Sequence, residues 1–195
     1  MVMQCDELSD PSRSMLGQTQ ERWLTDSLRQ SKRPWKLVAQ ATQISSTSVP
    51  APVGRSYWND AWDGYPEARK RLLQTVVDAK LQNVVTLGGD VHCNVAANLR
   101  LEPNNPQSPI VASEFVTTSI TSRGLGDKPA GVIRDNNADL LHYRSDERGY
   151  SLITVTPQDV RCDFRTTKFP AGSEPGFKTQ ASYVVKRGQA GPQQI

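Results

Sequence analysis

Asn83-Val84-Val85-Thr86-Leu87-Gly88-Gly89-Asp90-Val91-His92 is the stretch on which the reading of this chain turns. Val84, Val85 and Leu87 make a short apolar run, the pattern of a strand buried on both faces. Gly88-Gly89 ends it, because glycine lets the backbone turn or approach closely. Asp90 and His92 follow at once. On an extended backbone, residues two apart point to one side. A carboxylate and an imidazole are therefore expected together, facing one cleft at the C-terminal end of a rigid strand. In open α/β sheets, ligands and catalytic groups collect at such ends. His92 is one of only two histidines in the chain. Against this stands the bland alternative: an Asp near a His is often just a hydrogen-bonded pair, and two donors fall short of the roughly four that a metal site needs.

Working outward, Pro66 suits the first position of a helix and Glu67 its N-terminal dipole. Ala68, Leu72, Leu73 and Val76 give one apolar face over residues 66–80. Before it, Trp35 to Ala41 reads as a strand. Strand, long connection, helix, strand is a βαβ pattern, which predicts a parallel pair. The connection over 45–64 is rich in Ser, Pro and aromatics and ends Trp62-Asp63-Gly64-Tyr65-Pro66. It is expected at the Asp90 end of the sheet, either pinned there by its tryptophans or lining a site. Further upstream, Leu16, Trp23, Leu24 and Leu28 predict an amphipathic helix over about 18–31, capped by Gly17, with Trp23 as a core anchor.

Downstream, Val95 to Leu101 and Ile110 to Val116 read as strands, and residues 124–138 as a Gly-, Pro- and Asn-rich loop. Strands near 140–144, 149–155, 159–166 and 181–186 predict an antiparallel second half. Residues 1–13 are expected to be irregular, 14–190 to form the domain, and 191–195 to fray. The whole reads as an α/β fold with a parallel βαβ portion followed by mainly antiparallel strands.

A chain of 195 residues fits one domain with a sizeable core. A net charge of +3 is too small and too scattered to argue for nucleic-acid binding. No run approaches the roughly 18 apolar residues of a membrane span. Cys5, Cys93 and Cys162 form neither a disulfide framework nor a zinc-knuckle spacing. No signal-peptide pattern opens the chain, and its first residues read like mid-protein sequence.

A serine hydrolase would need Gly-x-Ser-x-Gly on a strand-to-helix elbow. Gly54-Arg55-Ser56-Tyr57-Trp58 lacks the second glycine. P-loop and dinucleotide fingerprints are absent. Cys93, next to His92, would point to the opposite face of an extended strand. Metal-assisted hydrolysis remains: a carboxylate with an imidazole suits iron, zinc or manganese, and a carboxylate suits calcium. Ser119 to Gly124 adds hydroxyls and a guanidinium, groups that bind phosphate. The alternative there is an ordinary polar turn.

The order of motifs carries a resemblance. Met15-Leu16-Gly17, Gln20, Trp23-Leu24, Trp35-Lys36-Leu37-Val38, Trp62-Asp63-Gly64-Tyr65-Pro66 with Arg69 and Leu72-Leu73, Gly89-Asp90-Val91-His92, Glu114-Phe115-Val116 with Ser119 to Gly124, and Arg148-Gly149-Tyr150 together resemble the PhoD-like alkaline phosphatases of the calcineurin-like metallophosphoesterases. The resemblance implies a four-layer αββα sandwich and an Fe3+- and Ca2+-dependent hydrolysis of phosphate mono- and diesters. It implies a parent protein that is exported, hence periplasmic or secreted. It also implies that this chain is the C-terminal half, since the family's early metal motifs have no counterpart here. Of the family's metal positions, Asp90 and His92 carry over as catalytic metal ligands; Ser122 and Arg123 stand as substrate contacts. Gln40 and Gln43 occupy the region where the wider superfamily places a histidine, and His142 has no ligand motif around it. The competing expectation is a non-catalytic remnant or binding module of the same fold.

Overall fold

The computed structural model describes residues 1–3, 5–173 and 176–195. In chain order the elements are β1 (Val2–Met3), α1 (Gln18–Gln30), β2 (Lys36–Ala39), β3 (Val49–Pro50), β4 (Arg55–Tyr57), α2 (Pro66–Asp78), β5 (Val84–Gly88), β6 (Asn94–Arg100), β7 (Ile110–Val116), α3 (Asp127–Asp135), β8 (Leu140–Arg144), β9 (Glu147–Val155), β10 (Asp159–Lys168), β11 (Lys178–Lys186) and β12 (Gln193–Gln194).

The predicted βαβ unit is present: β2 and β5 run parallel, with Lys36 opposite Val84 and Ala39 opposite Leu87. Strand β7 adds in parallel on the other side of β5, and β6 and β8 follow antiparallel. The order of this five-stranded sheet is β2-β5-β7-β6-β8. A second sheet, β12-β11-β10-β9, is wholly antiparallel. A small sheet of β1, β4 and β3 completes the set.

Alternation along the strands explains the layering. Val84, Leu99 and Ala112 turn to one face and pack with Leu28 of α1 and Leu72, Leu73 and Val76 of α2. Val95, Ala97 and Val116 leave the same face further along and meet Ala130 of α3. Val85, Ala96 and Phe115 leave the opposite face and meet Val160, Cys162, Phe164 and Tyr183 of the second sheet. Among the described residues the layers are therefore helix, sheet, sheet, part of an αββα sandwich.

Four expectations are corrected. Trp23 is no core anchor: it is 65% exposed, whereas Leu28 is 5% exposed. A helix turns by about 100° per residue, so only one of the adjacent pair Trp23-Leu24 can face inward, and Leu24 is the one packed against the core. Residues 127–135, read as loop, form α3. Its Pro129 stands in the first turn, where backbone N–H groups have no intrahelical partner to lose. Residues 1–13 are not merely irregular. They supply β1 and a single 3-10 turn at Asp6–Ser9. The Arg71 side chain also holds the Pro11 and Arg13 carbonyls at 2.8 and 2.9 Å. Finally, the tail is paired: β12 joins β11, and the Gly191 N–H donates to Ser113 Oγ at 2.9 Å.

Candidate active site at the end of the central strand

Gly88 closes β5 because nothing larger fits. A Cβ there would lie 2.1 Å from the Thr42 carbonyl oxygen, so the loop after β2 presses on the end of β5. Beyond it the backbone is not extended, contrary to the expectation. The Val91 N–H donates to the Gly89 carbonyl at 2.8 Å, which closes a three-residue turn. Asp90, at its centre, has φ +71°, and His92 has φ +54°. Left-handed backbone is uncommon for residues other than glycine, although Asp and His tolerate it better than most, and such strain concentrates at functional sites.

Both side chains stay out of the core at the C-terminal end of β5, Asp90 exposed and His92 half-buried. They lean toward different neighbours. The Thr42 hydroxyl, on the β2 side, approaches Asp90 Oδ2 at 3.4 Å. His92 Nδ1 lies 2.7 Å from the Arg123 carbonyl oxygen, on the β7 side. A carbonyl only accepts, so Nδ1 carries the proton and Nε2 keeps its lone pair. Ser122 and Arg123 have exposed side chains. Their contribution to the fold is through backbone: the Ser122 carbonyl accepts from the Ser119 hydroxyl at 2.7 Å, and the Arg123 carbonyl orients His92.

The loop from Thr42 to Ser48 is buried throughout, which forces its backbone donors to find partners inside. Glu114 supplies two, accepting from the N–H groups of Ile44 and Ser45 at 2.7 and 2.8 Å. Asp63 accepts from the Thr47 N–H at 2.7 Å. Burial pushes both carboxyls above the usual carboxylate range, against these hydrogen bonds, which pull them down. The Trp62 indole donates to Gln40 Oε1 at 3.2 Å, and Gln40 Oε1 also accepts the Thr42 N–H at 3.0 Å. The Trp62-to-Tyr65 loop thus sits at the Asp90 end, as expected, and is pinned there by Trp62. Gln40 and Gln43 are spent on this loop, Gln43 on Ser45 Oγ at 2.8 Å.

His142 packs inside. Its ring stacks on Phe164 with centroids 5.2 Å apart, and Nε2 meets Gln180 Oε1 at 2.9 Å. Burial pushes its pKa down, against the Gln180 contact. Cys93 and Cys162 are buried, and burial raises both thiols; a nucleophilic Cys93 is thereby disfavoured. The carboxylate of Asp90 and the open Nε2 of His92 suit a hard or borderline metal. Among the described residues no group of three or more His, Cys, Asp or Glu is placed to hold one. A side chain that motif reading passed over is Arg148, which is 2% exposed and donates to the His92 carbonyl at 2.8 Å. Its only sequence signal was its place in Arg148-Gly149-Tyr150.

Two facing sheets form an α/β sandwich, with an acid, an oriented imidazole and a hydroxyl-rich loop at the ends of its parallel strands. A family model, PhoD-like phosphatase, matches residues 1–164, and the chain belongs to that family. It is 36% identical to alkaline phosphatase D of Bacillus subtilis (strain 168) over 97% of this chain and 33% of that protein. A solved structure titled "Structure of PhoD" superposes with a TM-score of 0.91 at 34% identity, over 100% of this chain and 38% of the other. The chain therefore spans about a third of the length of the curated relative it matches.

Proposed function

We propose that this chain contributes to a metal-dependent hydrolase of phosphate mono- and diesters, in which Asp90 and His92 hold metal and Ser122 and Arg123 contact the phosphate. The observation that carries this reading is the His92 contact: Nδ1 is tied to the Arg123 carbonyl, so Nε2 keeps a lone pair that a metal can take. A metal-ligating histidine is typically oriented in this way through its other nitrogen. Membership of the family supports the phosphatase chemistry. Fe3+ and Ca2+ are the metals that the family resemblance implies; when bound, they would neutralise charge on the phosphoryl oxygens and lower the pKa of water. The Arg123 guanidinium can fork onto two phosphate oxygens, and the Ser122 hydroxyl can donate to a third. If a longer protein carries this chain and follows the family, it would act in the periplasm or outside the cell.

A second reading, a non-catalytic module of the same fold, is favoured by one observation: among the described residues no group of three or more His, Cys, Asp or Glu is placed to hold a metal. One experiment separates the two. The matching third of Bacillus subtilis alkaline phosphatase D is replaced by this chain, and the chimera is assayed on chromogenic mono- and diesters with iron and calcium supplied. Turnover within an order of magnitude of ~10 per second is expected, falling at least ~100-fold on Asp90→Ala or His92→Ala. A folded but inactive chimera, or one indifferent to both substitutions, rejects the catalytic reading. The isolated chain, with two donors, is expected to bind these metals weakly and to turn over negligibly.

A further inference from the structure

We propose that Arg148 is the positioning residue of this site: it pins the His92 backbone and the loop over it so that His92 carries its proton on Nδ1 and presents Nε2. The purpose assigned to that orientation rests on the function proposed above; the orientation itself does not. Arg148 lies in β9, yet its guanidinium serves three other segments. Nη1 donates to the His92 carbonyl at 2.8 Å, donates to Thr118 Oγ1, and reaches Ser119 Oγ at 3.4 Å. Nη2 donates to the Ser145 carbonyl at 2.7 Å. The Phe169 ring covers the group, 5.4 Å from centroid to Cζ. Among the described residues no carboxylate lies within ion-pair distance of it. A buried arginine spent on carbonyls and hydroxyls, and on no carboxylate, acts through its fixed fork of donors.

The geometry links that fork to the imidazole in two steps. First, the His92 carbonyl is held from two sides, by Arg148 and by the Ser145 hydroxyl at 3.2 Å. This stabilises a residue whose φ is +54°, a backbone uncommon for residues other than glycine. Second, the 119–124 loop sits directly on this contact. A Cβ on Gly124 would lie 2.7 Å from Arg148 Nη2 and 2.8 Å from the His92 carbonyl oxygen. Only glycine lets the loop descend that far, and its descent brings the neighbouring Arg123 carbonyl to His92 Nδ1. Remove the fork and both the His92 carbonyl and the loop above it lose their common anchor.

The chain's two histidines make this directly observable. Long-range proton–nitrogen NMR at about pH 8, above the range in which histidine ordinarily titrates, reports the tautomer of each ring. His142, stacked on Phe164 and bonded to Gln180, serves as an internal monitor of the fold. In the wild-type chain His92 should be mainly the Nδ1–H tautomer. In Arg148→Lys, which keeps the charge and loses the fork, the ratio of Nδ1–H to Nε2–H should fall at least ~5-fold while His142 signals stay in place. Gly124→Ala, which wedges the same contact apart from the loop side, should do the same, and it supplies the readout if Arg148→Lys does not fold. A His92 tautomer ratio unchanged in a folded variant overturns the proposal. Adding Mn2+ separates this outcome from the functional reading. Loss of His92 Nε2 signal in wild type, weakened ~10-fold or more in the variants, supports both. Variants that shift the tautomer of a ring indifferent to Mn2+ support the positioning role and count against the metal role.

Discussion

Glu114 sits in a mainly apolar strand, Ile110 to Val116, with both carboxylate oxygens spent on backbone amides of a loop some 70 residues earlier. Strand alternation alone leaves open whether such a residue faces water. Its partners lie far away in sequence, which is why neither Glu114 nor Asp63 was legible as an internal brace. Asp90 and His92 were legible, because glycines at a strand end and two donor types in close succession carry a physical meaning in any chain. Their conformation was not, because the left-handed turn is set by Thr42, Arg148 and Gly124, three residues from elsewhere. His142 gives a prediction at the same scale. Burial lowers its pKa in the folded state. Above about pH 6.5, the ordinary histidine value, both folded and unfolded states hold it neutral and nothing changes. As pH falls below that value the unfolded chain takes up the proton first, and stability is lost until the folded pKa is reached. In urea titrations from about pH 7 to 5, His142→Phe should show a shallower decline than wild type, by up to about 1.4 kcal/mol per pH unit. Parallel curves would show that His142 is protonated equally in both states.

At the scale of elements, periodicity located most of the helices and strands, since a 3.6-residue or two-residue repeat is imposed by the element itself. The failures have local causes. Helix α3 hides behind Gly126, Pro129 and Gly131, residues that mark loops in isolation, while Ala130 and Ile133 pack its inner face against the Cys93–Val95 region. Helix α1 was found but its facing was misjudged at Trp23. The two side chains make a paired test. Trp23→Ser should change unfolding free energy by about 0.5 kcal/mol or less, the usual surface effect. Leu28→Ala, at a site only 5% exposed, should cost about 2–5 kcal/mol. Equal losses at the two positions would mean that Trp23 is covered by something in solution.

At the scale of the molecule, two sheets are clamped face to face; the antiparallel sheet keeps the order of the chain, whereas in the mixed sheet β7 stands between β5 and β6. The Trp35 indole reaches across to the Thr156 carbonyl at 2.7 Å, tying the start of β2 to the β9–β10 hairpin. The chain terminus makes a second tie. Residues 193–194 pair with β11 in one sheet, while Gly191, at φ +98°, bonds Ser113 in the other. A Gly/Pro/Gln tail looks free in sequence because its anchors are a two-residue strand pairing and one hydrogen bond to a distant strand. The consequence concerns isotope labelling. A frayed end exchanges its amide hydrogens almost at the random-coil rate, whereas an amide engaged across two sheets exchanges only when the sheets part. The Gly191 amide should therefore exchange slowly beside a fast one at Ala190. Its protection should track that of Val185 and Phe115 as denaturant is added, making one backbone proton near the last residue a gauge of how often the sandwich opens.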